Sequence, residues 1–448
     1  MGVVSCGTTM LDQGVFENIG AVTWDTTVKT SGFTAVSGNG YFCNTTSAAF
    51  TVTLPASPSA GDIVGIKDYA NTADTNNITI GRNSSNIQGE ASDFIISTEG
   101  RSVLLVYVDA TKGWLVTSAS QANDISNPLF ITATGGTITT SGDYKIHTFT
   151  SPGTFCVSQI GNGPTNPAGG PTTTDYLVVA GGGGGGGASN DTVAAGAGGA
   201  GGYRESSGVA SGCYSVSPLG ACVSALSVTA TGYPIAVGGG GTGGGCTTGI
   251  APTPGSNSIF SSITSAGGGS GISRKDSPTA PGVIQPAEAG GSGGAGTWSY
   301  PGAAGNTPPV SPPQGNNGGT SSGPPIQSGG GGGGATAVGG TAPSNGGVGG
   351  AGATSSINGT PTTRAGGGGG GGGYINGSTV TSGGAGGSGG GGVGGNAVPN
   401  ACHDGGSGST NTGGGGGGGG GKNASPGSAN TLGGTGGSGV VIIRYKFQ

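Results

Sequence analysis

Charged and aromatic residues are scarce in this chain. Asp, Glu, Lys and Arg together make up 7% of its 448 residues, aromatic residues make up 5%, and there are only two His and two Met. Hydrophobic residues reach 31%, which is too little for the core of an ordinary globular enzyme of this length. Disordered chains of low hydrophobicity are kept soluble by charge, so this neutral composition does not predict a disordered chain either.

Long apolar runs and basic clusters are also missing. No stretch of 18 apolar residues occurs, and residues 1–6 lack the basic and apolar regions of a signal peptide. Cys6 occupies the position where a myristoylation motif requires Ser or Thr. Residues 1–150 carry 12 acids and 6 bases, a charge of −6, and residues 151–448 carry 6 acids and 7 bases, a charge of +1. We therefore expect no nucleic-acid partner and no membrane insertion.

Cysteines are too few and too scattered for a disulfide framework, and their number is odd. No CxxC pair occurs, which argues against a zinc site. We expect buried free thiols, with a pair between Cys213 and Cys222 as the alternative. The seven residues are Cys6, Cys43, Cys156, Cys213, Cys222, Cys246 and Cys402.

Glycine is abundant, at 113 residues, and it occurs in runs. These runs break the three-residue period of collagen. Ordering one backbone residue costs about 1–2 kcal/mol, so ordered runs need compensating hydrogen bonds. Polyproline II (PPII) helices that bond to their neighbours would supply them, and flexible linkers are the alternative. Such runs lie at 181–187, 329–334, 366–373, 389–392 and 413–421.

Short apolar segments separated by turn residues fill residues 41–122. Phe50, Val52 and Leu54 alternate with threonines, which is typical of a strand with one buried face. We predict a small antiparallel β-domain here. Several of its motifs resemble a β-domain common in bacteriophage tail and neck fibres, and that resemblance implies a trimer. The motifs are YFCNTT at 41–46, TLPASPSAGD at 53–62, IKD at 66–68, VYV at 106–108 and GW at 113–114.

The rest of the chain resembles the glycine-rich domain of phage tail proteins. The motifs are TFTSPGTF at 148–155, DYLVVA at 175–180, GGYR at 201–204, YPIAVG at 233–238, SIF at 258–260 and GVVIIRY at 439–445. The resemblance implies a small β-sandwich with packed glycine tracts, and in similar phage adhesins the loops between tracts carry receptor specificity. Residues 440–445, apart from Arg444, and 176–180 are apolar, and we expect the two segments to pair and to be covered on both faces.

Motifs for chemistry are weak. GxGxxG matches arise by chance in so glycine-rich a chain, and Asn423 replaces the Ser or Thr of a P-loop at 416–423. His147 lies in a strand-like segment, and His403 only adjoins Cys402 and Asp404 in sequence. The carboxylates after residue 150 are dispersed, which argues against a glycosidase; they are Asp175, Asp191, Glu205, Asp276, Glu288 and Asp404. We expect no catalytic residues, no cofactor and no metal.

Side chains able to recognise a receptor concentrate in loops between the glycine tracts. In the alternative reading, Trp298 and Tyr300 form a miniature core that caps the bundle. The candidate receptor-binding residues are Arg274, Lys275, Asp276, Trp298, Tyr300, Tyr374, His403 and Asp404.

Together these features predict an all-β virion tail fibre or adhesin, assembled in the host cytoplasm. The predicted parts are an attachment segment (1–40), a fibre-type β-domain (41–122), a connector (123–142) and a glycine-rich distal domain (143–448). We expect a homotrimer held mainly through residues 1–130, other tail or baseplate proteins bound at the N-terminal segment, and a host surface glycan or outer-membrane protein as receptor. A structural fibre or decoration subunit without receptor binding and an ice-binding PPII protein are the alternatives.

Overall fold

The structure is a computed structural model and is almost entirely β. It describes residues 4–5, 8–9, 22–120, 129–163, 170–188, 193–212, 214–220, 222–245, 250–273, 276–277, 280–281, 285–298, 300–321, 323, 325–375, 379–399, 401, 403–421 and 431–448, with the backbone alone at 4–5, 8–9, 276–277 and 280–281. The chain forms two compact units, Met1–Pro128 with Pro164–Gly169, and Leu129–Gly163 with Gly170–Gln448. No helix among these residues is long and apolar enough to cross a bilayer.

The first unit contains two main sheets between which the chain alternates. Its strands are β1 (Val4–Ser5), β2 (Thr8–Thr9), β3 (Thr23–Lys29), β4 (Phe33–Thr34), β5 (Asn39–Cys43), β6 (Phe50–Thr53), β7 (Ile63–Asp68), β8 (Ile78–Gly81), β9 (Phe94–Ile96), β10 (Ser102–Asp109) and β11 (Gly113–Ser120). One sheet has the order β11-β10-β7-β5-β3 and the other β4-β6-β8-β9. Strands β3 and β4 place residues 23–34 of the predicted attachment segment inside this unit.

The prediction of an antiparallel domain is wrong for much of this unit. Strands β3, β5 and β7 are parallel neighbours, and so are β4, β6 and β8. From β3 to β8 the chain crosses to the other sheet after each strand and returns in the same direction, which makes these strands parallel to their neighbours. Period-2 alternation reports a buried face but not the direction of the neighbouring strand, so the sequence pattern did not distinguish the two. The core between the sheets includes Trp114, Ile66, Leu54 and the buried thiol of Cys43.

The second unit contains a two-sheet sandwich and a large glycine-rich bundle. Its elements are β12 (Thr132–Thr134), β13 (Thr137–Ser141), β14 (Tyr144–Phe149), β15 (Gly153–Gln159), β16 (Thr173–Val179), β17 (Tyr203–Glu205), a 3-10 turn (Pro218–Gly220), β18 (Leu226–Ser227), β19 (Gly232–Ala236), β20 (Ser258–Phe260), β21 (Ile263–Ser265), β22 (Asp276–Ser277), β23 (Ala280–Pro281), β24 (Ala353–Ser355), β25 (Thr362–Arg364), β26 (Tyr374–Ile375), β27 (Thr379–Val380) and β28 (Val440–Lys446). The sandwich sheets have the orders β12-β15-β19-β20-β21 and β13-β14-β28-β16-β17.

The last strand closes the unit as the sequence predicted. Strand β28 lies antiparallel between β14 and β16, with Val440 opposite Val179 and Ile443 opposite Tyr176. Strands β12 and β13 lie in the two sandwich sheets. Residues 129–142 therefore belong to this unit, and they are not part of a connector.

The apolar strands are covered on both faces. On one face Tyr176 and Tyr445 pack against Phe155 and Phe260 of the second sheet. On the other face Leu177 and Ile442 pack against residues of the glycine-rich bundle, including Ala200 and Ala335. Alternation is therefore absent from β16 and β28 because neither face meets water.

The glycine tracts are packed PPII helices, and their hydrogen bonds repeat every three residues. In segment 181–187, Gly181 and Gly184 donate to Ser256 and Thr253, whereas Gly183 and Gly186 donate to Gly199 and Gly196. A second set of amides, from 241–244, 268–271 and 416–419, donates to the carbonyls of the same segment. A helix with three residues per turn presents successive N–H and C=O groups in three directions, so this repeat identifies the PPII conformation.

Six other segments surround segment 181–187. Three of them accept hydrogen bonds from its amides, and three donate to its carbonyls. Segments 329–334, 366–373 and 413–421 show the same repeat, and all of them are buried. These tracts are therefore part of the packed structure and not linkers. The run at 389–392 differs, because Gly389 and Gly390 have φ values of 98° and 94° and form a turn.

At many positions inside this bundle only glycine fits. A Cβ atom built on Gly183 would lie 2.1 Å from the carbonyl oxygen of Gly269, and one on Gly416 would lie 2.0 Å from that of Gly434. Both contacts are far below van der Waals distance and involve backbone atoms that cannot rotate away. The glycine content thus follows from the distance at which neighbouring backbones form hydrogen bonds.

Candidate functional site

The glycine-rich segments alternate in direction, so their connections gather at two ends of the bundle. Segments leading away from the sandwich are 181–187, 238–245, 266–273, 291–297, 315–321, 338–342, 366–373, 391–397 and 413–421. Segments returning towards it are 194–202, 250–257, 285–290, 301–305, 328–335, 346–352, 381–388, 404–409 and 431–439. The end at which the outward segments stop is called the loop end, and its described residues include Trp298, Tyr300, strands β26 and β27, Ala401 and His403. The sandwich lies at the opposite end of the bundle, the sheet end.

Contacts between the connections confirm that they meet at the loop end. Ala188 bridges to Thr431, Gly245 bridges to Leu432, and Ile326 bridges to Ile375. Thr297 Oγ1 donates to the Ala194 carbonyl at 2.6 Å. These residues are far apart in sequence, and the alternation of the segments brings them together.

Large apolar side chains are exposed at the loop end. Tyr300 is 49% exposed, Ile250 52%, Leu432 49% and Val380 47%. Exposed apolar groups gathered on one surface are typical of an interaction site. Among them, the sequence predicted only Tyr300, because that prediction rested on aromatic and charged residues. The signal that it omitted was a lone aliphatic residue in a loop beside a glycine-rich segment.

Trp298 and Tyr300 lie in a tight turn after segment 291–297. Tyr300 N donates to the Thr297 carbonyl at 2.9 Å, and Trp298 adopts a φ of 55°. This left-handed conformation is uncommon for a bulky residue and carries strain of order 1–3 kcal/mol. Trp298 is only partly exposed whereas Tyr300 points to solvent, so the two rings have different roles.

Tyr374 is not available to a receptor. Its side chain is 1% exposed, and its carbonyl accepts a hydrogen bond from Gln327 N at 3.2 Å. Strand β26 folds back onto β27 and pairs Tyr374 with Val380. Tyr374 is therefore part of the interior, and Val380 is the exposed residue of this hairpin. This placement corrects the prediction that Tyr374 contacts a receptor.

His403 and Asp404 lie at the surface of the loop end. The Asp404 carboxylate accepts the Leu432 amide at 2.7 Å, and the His403 carbonyl accepts the Gly420 amide at 3.1 Å. Asp404 thus fixes the backbone beside the exposed Leu432. Arg274 and Lys275 lie outside the described residues, and Asp276 is described by its backbone alone, in the β22–β23 hairpin.

Buried carboxylates hold the sandwich to its loops. The Asp175 carboxylate accepts Ser206 Oγ at 2.7 Å and the Ser211 amide at 2.7 Å. Glu205 accepts the Ser217 amide at 3.0 Å and the Ser355 hydroxyl, and burial raises its pKa. Within the part of the chain that the structure describes, no group of three His, Cys, Asp or Glu residues could hold a metal ion.

Two described cysteines differ from the prediction of buried thiols. Cys156 and Cys222 are free and exposed, whereas Cys43 is free and buried. Burial raises the pKa of the Cys43 thiol to about 12, so it is unreactive. Cys6, Cys213, Cys246 and Cys402 lie outside the described residues.

Comparison with protein families agrees with the geometry of the second unit. The model of the glycine-rich domain family matches residues 150–446, a range that includes every segment of the bundle and the pairing strands β16 and β28. The chain belongs to this family. A search of curated proteins found no match. Membership accounts for the glycine-rich scaffold, and the family's description assigns no ligand to the loop end.

Proposed function

We propose that this chain is a fibre or adhesin subunit that attaches to a bacterial surface through the loop end. The observation that supports this most is the reversal of direction between segments, which brings loops from across 250 residues of sequence to one end of the bundle. The exposed side chains there are Ile250, Tyr300, Val380 and Leu432, with His403 and Asp404 beside them.

The scaffold suits recognition because it is held by backbone hydrogen bonds rather than by side chains. A loop can change its side chains without changing the PPII helices that carry it. Binding through loops on a rigid scaffold also costs little ordering entropy. Aromatic rings such as that of Tyr300 stack on sugar faces or fill grooves in a protein receptor.

The finer parts of this proposal follow from the resemblance to phage fibres. The chain would be a homotrimer of the virion tail, held mainly through residues 1–130 and assembled in the host cytoplasm. Its N-terminal segment would join other tail or baseplate proteins, and its receptor would be a host surface glycan or an outer-membrane protein. Light scattering of the intact chain tests the oligomer, since a monomeric mass would exclude a trimer.

Binding of labelled protein to a panel of bacterial strains tests the proposed site. On a strain that binds, Tyr300→Ala should weaken binding about thirtyfold, which corresponds to about 2 kcal/mol for a stacked aromatic. Tyr69→Ala is the matched control, because Tyr69 is an equally exposed tyrosine, at 56%, in the first unit. Equal binding by both variants and the wild type, with the fold intact, would remove Tyr300 from the site.

A second candidate, ice binding, is favoured by one regular surface. Four adjacent segments, 381–388, 391–397, 404–409 and 431–439, form an outer layer joined by hydrogen bonds. Ser382, Ala385 and Ser388 are exposed at every third position, about 9 Å apart on a 3.1 Å rise. The charged and aromatic side chains of the loops argue against a flat ice-binding face. Thermal hysteresis would support this function, and its absence would leave a structural subunit as the remaining alternative to the adhesin.

A further inference from the structure

Arg444 is a buried cation without a carboxylate in contact. It lies on β28 between β14 and β16 and is 4% exposed. Asp175 is its neighbour across the strand pair, but within the part of the chain that the structure describes no acidic oxygen lies within 4.0 Å of its nitrogens. The Asp175 oxygens are occupied by Ser206, Gly208 and Ser211.

Two tyrosine rings hold the guanidinium group in place. Its central carbon lies 4.6 Å from the ring centre of Tyr144 and 5.2 Å from that of Tyr214. Its Nε and Nη1 reach the carbonyls of Ser211 and Ile357 only at 3.4 Å, which is long for hydrogen bonds. Rings that hold a guanidinium group in this way fix the orientation of its remaining N–H donors.

A cavity of about 400 Å³ opens beside Arg444 at the sheet end. Ser141, Ser215, Ser356, Tyr214 and Gly359 form its other walls. The Ser356 amide donates to the Ser215 carbonyl at 2.9 Å, which joins two of these walls. Among the described residues, none of the three serine hydroxyls has a hydrogen-bond partner in the protein. The cavity thus combines one oriented cation with three uncommitted hydroxyls.

From this arrangement we propose that the cavity binds a carboxylate-bearing sugar unit, such as a uronic acid. The guanidinium group would pair with the carboxylate, a geometry in which arginine forms two parallel hydrogen bonds. The serines would exchange hydrogen bonds with the ring hydroxyls of the sugar. Such a volume is within the range of small-ligand sites. A neutral sugar would leave the cation without a partner, and that difference would determine specificity.

This site is separate from the loop end, so the two proposals can fail independently. Tyr300→Ala should weaken binding to cells and leave binding at the cavity unchanged. The sheet-end site would provide a contact with an acidic polysaccharide in addition to the contact made by the loops.

Titration calorimetry of the intact protein with D-glucuronate, D-glucose and inorganic phosphate tests the proposal. We expect glucuronate to bind at least tenfold more tightly than glucose or phosphate. Ser215→Trp should fill the cavity and lower glucuronate affinity at least tenfold, and Ser388→Trp, on an outer segment that does not line the cavity, should not change it. Arg444→Lys keeps the positive charge but removes the paired N–H donors of the guanidinium group, so it should weaken glucuronate binding. The thermal midpoint of this variant is measured as well, to check that it folds.

Several results would overturn the assignment. If glucuronate does not bind, or binds no better than glucose, the cavity does not recognise a carboxylate. If phosphate binds as tightly as glucuronate, the cavity is a general anion site and not a sugar site. If Arg444→Lys fails to fold, Ser215→Trp decides, because unchanged glucuronate affinity in that variant would place the binding elsewhere.

Discussion

The imidazole of His147 and the hydroxyl of Tyr445 are joined across 298 residues of sequence by a contact of 3.0 Å between Nε2 and Oη. The opposite ring nitrogen, Nδ1, lies 2.7 Å from the Gly135 carbonyl oxygen. Since a carbonyl only accepts, Nδ1 carries the proton and donates, and Nε2 accepts from the tyrosine hydroxyl. This contact links β14 to the final strand, and burial favours the neutral form of the imidazole.

Acidification should weaken the fold through His147. Burial lowers the pKa of His147 below its usual 6.5, opposed by the Gly135 hydrogen bond and assisted by the positive charge of Lys145. A lowered histidine pKa gives stability that is present above pH 6.5 and is lost as the pH falls through the folded value. The thermal midpoint of the wild type should therefore fall over this window. In His147→Gln the fall should be smaller, and an identical pH profile in both proteins would contradict the prediction.

Two glycine substitutions should have opposite effects. Gly183→Ala places a methyl group 2.1 Å from the Gly269 carbonyl oxygen, and overpacking of this kind costs about 1–3 kcal/mol or more. At Gly239, which is exposed, an added Cβ meets nothing within 4 Å, so Gly239→Ala should be neutral or stabilise by about 0.4–1 kcal/mol. Denaturant unfolding of both variants measures the difference. Equal destabilisation would argue against the close packing of segment 181–187.

Amides inside the glycine tracts should exchange slowly with solvent. Gly368 donates to the Gly198 carbonyl at 3.0 Å, and Gly418 donates to that of Gly369 at 2.9 Å. Both lie in buried segments, so their exchange requires opening of the bundle. Gly239 is exposed, and among the described residues its amide donates no hydrogen bond, so it should exchange quickly. Rapid exchange throughout 366–373 and 413–421 would indicate linkers instead.

Substitution of Tyr374 should lower the stability of the fold, whereas substitution of Tyr300 should change stability little. Tyr374→Ala removes a fully buried ring and should cost about 3–5 kcal/mol of unfolding free energy. Tyr300→Ala removes a ring that is 49% exposed and should change stability little. Thermal unfolding of the two variants provides the comparison. A large loss of stability in Tyr300→Ala would assign this ring to a miniature core at the loop end.

Much of the fold could be predicted from segments whose apolar composition requires burial. The apolar segments 176–180 and 440–443 needed cover on both faces, and they pair as expected. Parallel pairing in the first unit could not be predicted, because strand direction depends on where the chain crosses between sheets. For the candidate site, Tyr300 was identified from its chemistry, but Ile250, Val380 and Leu432 were not, since their exposure depends on packing.

The sequence by itself determined that this chain is all-β and that its glycine tracts need neighbours, because backbones without side chains are ordered only by hydrogen bonds to one another. Tertiary structure alone decided which side chains face outward. Tyr374 and Tyr300 both follow glycine-rich segments, yet one is buried in the bundle and the other reaches solvent. Arg444 lies in a largely apolar strand, and the packing of Tyr144 and Tyr214 against its guanidinium group holds that group in the wall of a cavity. These outcomes depend on contacts between residues hundreds of positions apart, which local patterns do not encode.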